Sequence, residues 1–132
     1  MFEGELRIEH DERHLRLIAN PPDKLGAALV TITTTFDRES SVVHREWRIF
    51  SGLWRSSQSF PYKEIRGIGL KHYRGDIEFS ASCLPAITLR NGKRRTLAVL
   101  NARAEVYGPT VDALCTATGF PRIDHPGNIW GW

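Results

Sequence analysis

The segment His10-Asp11-Glu12-Arg13-His14 places two imidazoles four residues apart with carboxylates between them, the residue types that bind zinc and activate water. The helical zinc-protease arrangement needs a glutamate directly after the first histidine and both histidines on one helical face. Here Asp11 follows His10, and the flanks alternate apolar and polar residues as strands do. The segment is therefore expected to be a solvated hairpin turn. His44-Arg45-Glu46 and His72 with Asp76 are the other compact titratable groups. No Gly-x-Ser-x-Gly elbow, phosphate-cradling glycine loop or orienting partner accompanies them, so no catalytic residue, metal site or cofactor is expected. Binding is the chemistry these residues suggest.

Two sets of residues carry that expectation. Arg90, Lys93, Arg94 and Arg95 surround one turn, and Lys71 and Arg74 fall in another loop, where together they would meet an anionic headgroup or an acidic peptide. Equally, such cations discourage edge-to-edge pairing of strands and need no ligand. The second set is aromatic and apolar: Trp54 beside a turn, and Ile129, Trp130 and Trp132 at the end of the chain, which must dock on the domain, on a second copy or at a membrane interface. Trp47, two residues before Ile49, is assigned to the core.

Elements to position these residues follow from the apolar period. Phe2–His10 and His14–Ala19 alternate as short strands, and Asn20-Pro21-Pro22-Asp23 breaks the second. Ala28–Arg38 places Val30, Ile32, Thr34 and Phe36 on one face, and its threonines favour strand over helix. From Val43 to Leu70, three extended runs and two turn signals predict an antiparallel meander. Ile77–Ser82 and Leu84–Arg90 continue it. Pro85 predicts an edge strand, or a bulge at Cys83–Pro85, and makes Leu84–Arg90 the expected partner-binding edge. At Asn91-Gly92, a two-residue turn would put Leu97 and Val99 on the opposite face from Ile87. A three-residue loop with Gly92 left-handed restores a common face, and that bulged hairpin is expected. Asn101 is the expected N-cap of a helix with Val106, Thr110, Ala113, Leu114 and Ala117 at helical spacing; Gly108-Pro109 either kinks one helix running from near Ala102 to Thr118, the favoured reading, or opens a shorter one ending there. Gly119-Phe120-Pro121 stops it.

A chain of 132 residues with 41% hydrophobic and 25% charged residues is expected to form one soluble domain over 1–132: strands in 1–42, meander and hairpin in 43–100, helix in 101–119 and a tail in 120–132. No apolar run approaches the roughly 18–20 residues of a membrane-spanning helix. The acidic start lacks a secretory pattern, and Cys83 and Cys115 are spaced for neither metal nor a disulfide framework, which together predict a cytoplasmic chain with reduced thiols. The net charge of +3 divides into −2 over 1–49 and +5 over 50–132, too small an excess for a dedicated nucleic-acid binder. Many short strands followed by one helix describe a mainly β domain whose curved sheet closes most of the way round, with the helix over an open end.

Trp47-Arg48-Ile49-Phe50-Ser51-Gly52-Leu53-Trp54-Arg55, followed by Phe60-Pro61-Tyr62-Lys63-Glu64-Ile65, resembles the aromatic-led strand, Ser-Gly-Leu turn and Pro-x-x-x-Ile entry of bacterial pleckstrin-homology-like (PH-like) domains. Ile87–Gly92 is similar to that family's late hairpin, and Leu114–Pro121 to its terminal helix. The resemblance covers roughly Val43–Pro121. It implies a bent, nearly closed antiparallel β-barrel of about seven strands capped by a C-terminal α-helix, here with extra N-terminal strands. It also implies a scaffold for lipid, peptide or self-association. The expected function is a non-enzymatic interaction or assembly module for a protein, a peptide or a second copy. Peripheral binding to anionic lipid is the alternative, and a hydrolase or metal enzyme the third class.

Overall fold

The computed structural model describes residues 6–19, 30–49, 53–73, 82–98 and 102–125. The expected features at Phe2, Asn20–Asp23, Arg74–Asp76, Val99, Asn101 and the tail beyond His125, with Ile129, Trp130 and Trp132, lie outside them, as does Ile77–Ser82 apart from Ser82.

Five strands follow in antiparallel succession: β1 (Leu6–His10), β2 (His14–Ala19), β3 (Val30–Asp37), β4 (Val42–Ile49) and β5 (Trp54–Pro61). Their alternation sorts side chains into rungs across one face. One rung reads His10, Leu15, Phe36, Val43, Phe60; the next Ile8, Leu17, Thr34, Arg45, Gln58; the next Leu6, Ala19, Ile32, Trp47, Ser56. In the first rung every residue from β2 to β5 is apolar and buried. In the other two, the apolar run ends with Leu17 of β2 and with Trp47 of β4, and β5 supplies Gln58 and Ser56, both exposed. The apolar core therefore fills the β1–β3 side and the Phe36-Val43-Phe60 rung, while beyond that rung β4 contributes the buried but charged Arg45 and β5 the exposed Gln58 and Ser56.

Turns at this sheet's ends are held by carboxylates. Asp11 Oδ1 accepts the N–H groups of Arg13 and His14 (2.8 and 2.6 Å), so His10 and His14 stand on adjacent strands across a hairpin turn. Asp37, 6% exposed, accepts both Nε and Nη2 of Arg13 (3.1 Å each) and the N–H groups of Glu39 and Ser40. The Arg13 guanidinium, above all, holds its carboxyl well below the usual range.

The expected meander ends at Pro61. A single 3-10 turn, Tyr62–Glu64, carries the chain out of the first sheet, and β6 (Ile65–Tyr73) pairs with β7 (Ser82–Leu89) in a second sheet completed by β8 (Arg94–Thr96) and β9 (Ala102–Arg103). No pairing among the described residues joins the two sheets into a closed barrel. The architecture is mainly β, two antiparallel sheets and one C-terminal helix. The connector's sequence resembles that of a hairpin because a three-residue turn carries the same signals whether the next strand folds back or crosses over.

Pro85 is not at an edge. β7 pairs with β6 on one side and with β8 and β9 on the other. Leu70, opposite Pro85, turns its own N–H and C=O away from β7, the former to Asp124 Oδ1 and the latter to the His125 N–H. Pro85 correspondingly faces the β8–β9 side, where its carbonyl accepts the Leu97 N–H at 2.8 Å. Its missing donor falls between the end of β8 and the start of β9, where no ladder bond is lost. The register shift lies between Ile65 and Gly67 on β6, not at Cys83–Pro85.

The hairpin after β7 has the expected bulge. Gly92 has φ +88°, its N–H donates to Leu89 O, and Leu89 N–H donates to Lys93 O, closing a three-residue loop. Pairs such as Ile87 with Arg95 give the even register that keeps Ile87, Leu89 and Leu97 on one buried face.

Helix α1 (Ala104–Thr118) runs uninterrupted through Pro109 and ends at left-handed Gly119, whose N–H donates to Cys115 O. Its N-cap is Arg103, without a side-chain cap, in place of Asn101. Tyr107, Val111 and Leu114 are its buried face, one position away from the expected stripe of Val106, Thr110 and Ala113. α1 packs against β6, β7, β9 and β1, bridging the sheets at one end. Phe120 closes that end, 5.1 Å from the Tyr62 ring and 6.5 Å from Phe36. Both cysteines are free thiols. Buried Cys83 donates to Ala102 O and burial pushes it up to about 11, while half-buried Cys115 is raised by the same cause.

After α1 the chain returns along β6. Ile68 N–H donates to Pro121 O, Ile123 N–H to Ile68 O, His125 N–H to Leu70 O and His72 N–H to His125 O, so residues 121–125 form a parallel edge on β6. Gly67 and Gly69 permit this approach. A Cβ at Gly69 would lie 1.9 Å from the Ile123 carbonyl oxygen, and one at Gly67 2.7 Å from that of Pro121.

Candidate binding edge and its cationic mouth

Among the described residues the sheet edges differ in what they offer a partner. β1 lies against α1 and carries the Arg7–Glu9 ion pair (3.5 Å); the outer side of β6 is taken by residues 121–125; β8 is three residues long. β5 is the longest edge not covered in this way, eight residues that among the described residues pair on one side only, exposed from Trp54 to Ser59.

Its free side can be read from the register. Tyr62 N–H donates to Ser41 O at 2.8 Å, extending the β4–β5 pairing by one step. Alternate residues point their backbone groups the same way, so Phe60, Gln58, Ser56 and Trp54 bond to β4. Arg55, Ser57 and Ser59 turn both N–H and C=O outward, and Pro61, lacking an N–H, ends the edge.

Trp54, 65% exposed, and Leu53, 77% exposed, stand at the start of this strand. Trp47, Ile49, Trp54, Arg55 and Ser56 line a cleft beside it. Trp47 is half-buried against the core, as expected, and its indole forms the cleft's inner wall.

Arg45 shares the inward face of β4 with Val43 and Trp47 and is only 5% exposed. Its Nε donates to Thr96 O at 2.7 Å, its Nη1 to Gln58 Oε1 at 3.3 Å and its Nη2 to Thr96 Oγ1 at 3.4 Å, while its guanidinium stacks over the Trp47 ring at 4.7 Å. All these partners are neutral. Burial, and secondarily Arg95, push Arg45 down to about 10. Sequence reading passed over Arg45 as part of a titratable trio. The signal was present, since Val43-Arg45-Trp47 at period two marks Arg45 as inward-facing.

The basic residues of the hairpin are dispersed, not gathered. Arg90 is pinned by its Nε to Lys63 O (2.6 Å) and by its N–H to Glu64 O. Lys93 is exposed in the loop. Arg94 and Arg95, being consecutive in β8, face opposite sides: Arg95 toward Arg45, and Arg94, paired with Thr88, toward the outer face. There Thr88 Oγ1 and His125 Nε2 share a 2.7 Å hydrogen bond. Burial first, then Arg94, Lys71 and Arg66 lower the His125 imidazole, with Asp124 opposing them. Lys71 and Arg94 are thus brought to one face, whereas Arg74 lies outside the described residues. Pro85 is buried inside its sheet and offers no edge.

The trio His44-Arg45-Glu46 is split between the two faces of β4. His44 bonds Ser59 Oγ (2.7 Å) and Glu46 pairs with Arg48 (2.6 Å) on the outer face, away from Arg45. The described residues contain no group of three or more metal-binding side chains and no helix long and apolar enough to cross a membrane. Compared with protein-family models and with curated protein sequences, the chain matches none. The described residues thus form a mainly β fold with a long exposed strand edge at β5, an aromatic cleft beside it and two arginines behind.

Proposed function

We propose that the protein is a non-enzymatic interaction module, built on a PH-like frame, that binds an extended segment of a protein or peptide by adding it to β5. What supports the frame is coarse: antiparallel strands followed by one C-terminal helix. The observation that carries the reading is the side of β5 left unpaired among the described residues: the outward N–H groups of Arg55, Ser57 and Ser59 beside exposed Trp54. Main-chain hydrogen bonds would supply affinity, and the cleft of Trp47, Ile49 and Trp54 would select an apolar side chain on the incoming strand. A second copy of the chain, adding its own β5, is the self-associating form of the same interaction.

Fluorescence anisotropy with labelled alternating Thr/Val peptides tests this. Trp54→Ala should weaken capture by about tenfold or more, because exposed aromatic anchors carry much of such interfaces. Unchanged affinity would remove the cleft from the interaction. The alternative, an anionic membrane surface, draws on Arg66, Lys71 and Arg94 around His125. Sedimentation with phosphatidylserine vesicles that is lost in Arg94→Glu, with no peptide capture, would favour it.

A further inference from the structure

The geometry points to a carboxylate-recognition site behind the edge: Arg45, Arg95 and the indole N–H of Trp47 receive an acidic side chain carried by the strand that β5 takes up. This inference rests on the β5 reading and adds the chemistry of the partner.

Four observations carry it. Arg45 is almost fully buried, yet none of its hydrogen-bond partners carries negative charge, and two of its three contacts, at 3.3 and 3.4 Å, are long. Arg95 faces it from the other sheet with Nε unpartnered and Nη1 satisfied only by the adjacent Arg94 carbonyl. Trp47 Nε1, under the Arg45 guanidinium, and Thr34 Oγ1, opposite Arg45 in the register, also have no partner among the described residues. Apart from the Thr34 hydroxyl, which serves either way, these idle groups are all donors, so the mouth is complementary to an anion and hostile to a cation.

A plain structural role for Arg45, as a strut from β4 to Thr96 of the other sheet, explains its Nε bond. It leaves the idle donors of Arg95 and Trp47 unexplained. Position supplies the link to β5. A strand added beyond β5 sets one side chain beside Gln58 on the same inward face, two strand spacings or about 10 Å from the Arg45 backbone. An extended arginine and a glutamate together span that gap. Gln58, exposed and held to Arg45 only at 3.3 Å, is the side chain the incoming carboxylate replaces.

Two labelled Thr/Val peptides differing only in a central Glu or Gln provide the probe, measured by anisotropy on the full chain. The unmodified protein should bind the Glu peptide about tenfold tighter, as charge-assisted bonds outweigh neutral ones. The ratio should fall toward one in Arg95→Gln, whose side chain is only partly buried, and in Arg45→Gln where circular dichroism shows it folded. Equal binding of both peptides by the unmodified protein overturns the carboxylate site and leaves the β5 edge standing. A preference that survives in Arg95→Gln and in folded Arg45→Gln overturns it too. Binding of neither peptide overturns the edge and the site together, and capture of phosphatidylserine vesicles instead, abolished by Arg95→Gln, would assign the two arginines to a lipid headgroup.

Discussion

Valine in place of Gly69 should strip residues 121–125 from β6 and lower the melting temperature by about 10 °C. A Cβ there would overlap the Ile123 carbonyl, which is main chain and cannot rotate aside. Relief requires the whole segment to move, breaking the bonds among Ile68, Leu70, His72, Pro121, Ile123 and His125. Overpacking of this kind costs about 3 kcal/mol, which for a domain of this size corresponds to the shift stated. Thermal unfolding checks it, with hydrogen exchange at Ile123 and His125 showing where the strain is released. An unchanged melting temperature and protected Ile123 would mean that the segment is not held as described. The same latch should loosen in acid. His125 is lowered by burial and the surrounding cations, so the folded state holds fewer protons than the unfolded chain once pH drops below about 6.5, and stability falls there. Asp124, in which burial is outweighed by the Leu70 N–H and Arg122, is also lowered; its contribution is present above about pH 4 and disappears as pH falls through its folded value.

The second large effect is on binding. Ser57→Pro should leave the fold intact and reduce peptide capture by at least about tenfold, since it removes the central outward N–H of β5 and adds a ring to the free side. One residue further, Gln58→Pro should instead destabilise the protein, because Gln58 N–H is in the ladder to Arg45. Paired melts and anisotropy titrations separate the two. If both variants lose stability equally, the alternation assigned to β5 is wrong; if Ser57→Pro binds as before, the edge is not used.

Local signals made much of this fold legible. Period two gave β2 to the residue and the inward face of β3; Asn91-Gly92 gave the bulged hairpin; Gly119-Phe120-Pro121 gave the helix stop. Each depends on neighbours in the chain, where residue type and backbone geometry are directly coupled. What escaped depends on distant partners. Pro85 reads as an edge residue until the direction of its nitrogen is known, and that is set by Leu70 turning toward residues 121–125. Tyr62–Glu64 reads as a hairpin turn because nothing local says which sheet Ile65 joins. The helix face slipped by one position because Tyr107 buries its ring while Thr110 and Ala113, small or polar, carry little weight of their own. Arg45 was legible in its alternation but overlooked for its charge, since a guanidinium is expected in solvent unless paired. The hairpin cations were grouped by sequence proximity, although consecutive strand residues must face opposite ways, as Arg94 and Arg95 do.

The most direct test of the β5 edge is residue-resolved amide hydrogen exchange, with and without a Thr/Val peptide. In the free protein Ser56, Gln58 and Phe60 should exchange slowly and Arg55, Ser57 and Ser59 quickly; with peptide the latter three should become protected while the former change little. Outward amides that stay fast in the presence of bound peptide would show that the partner docks elsewhere.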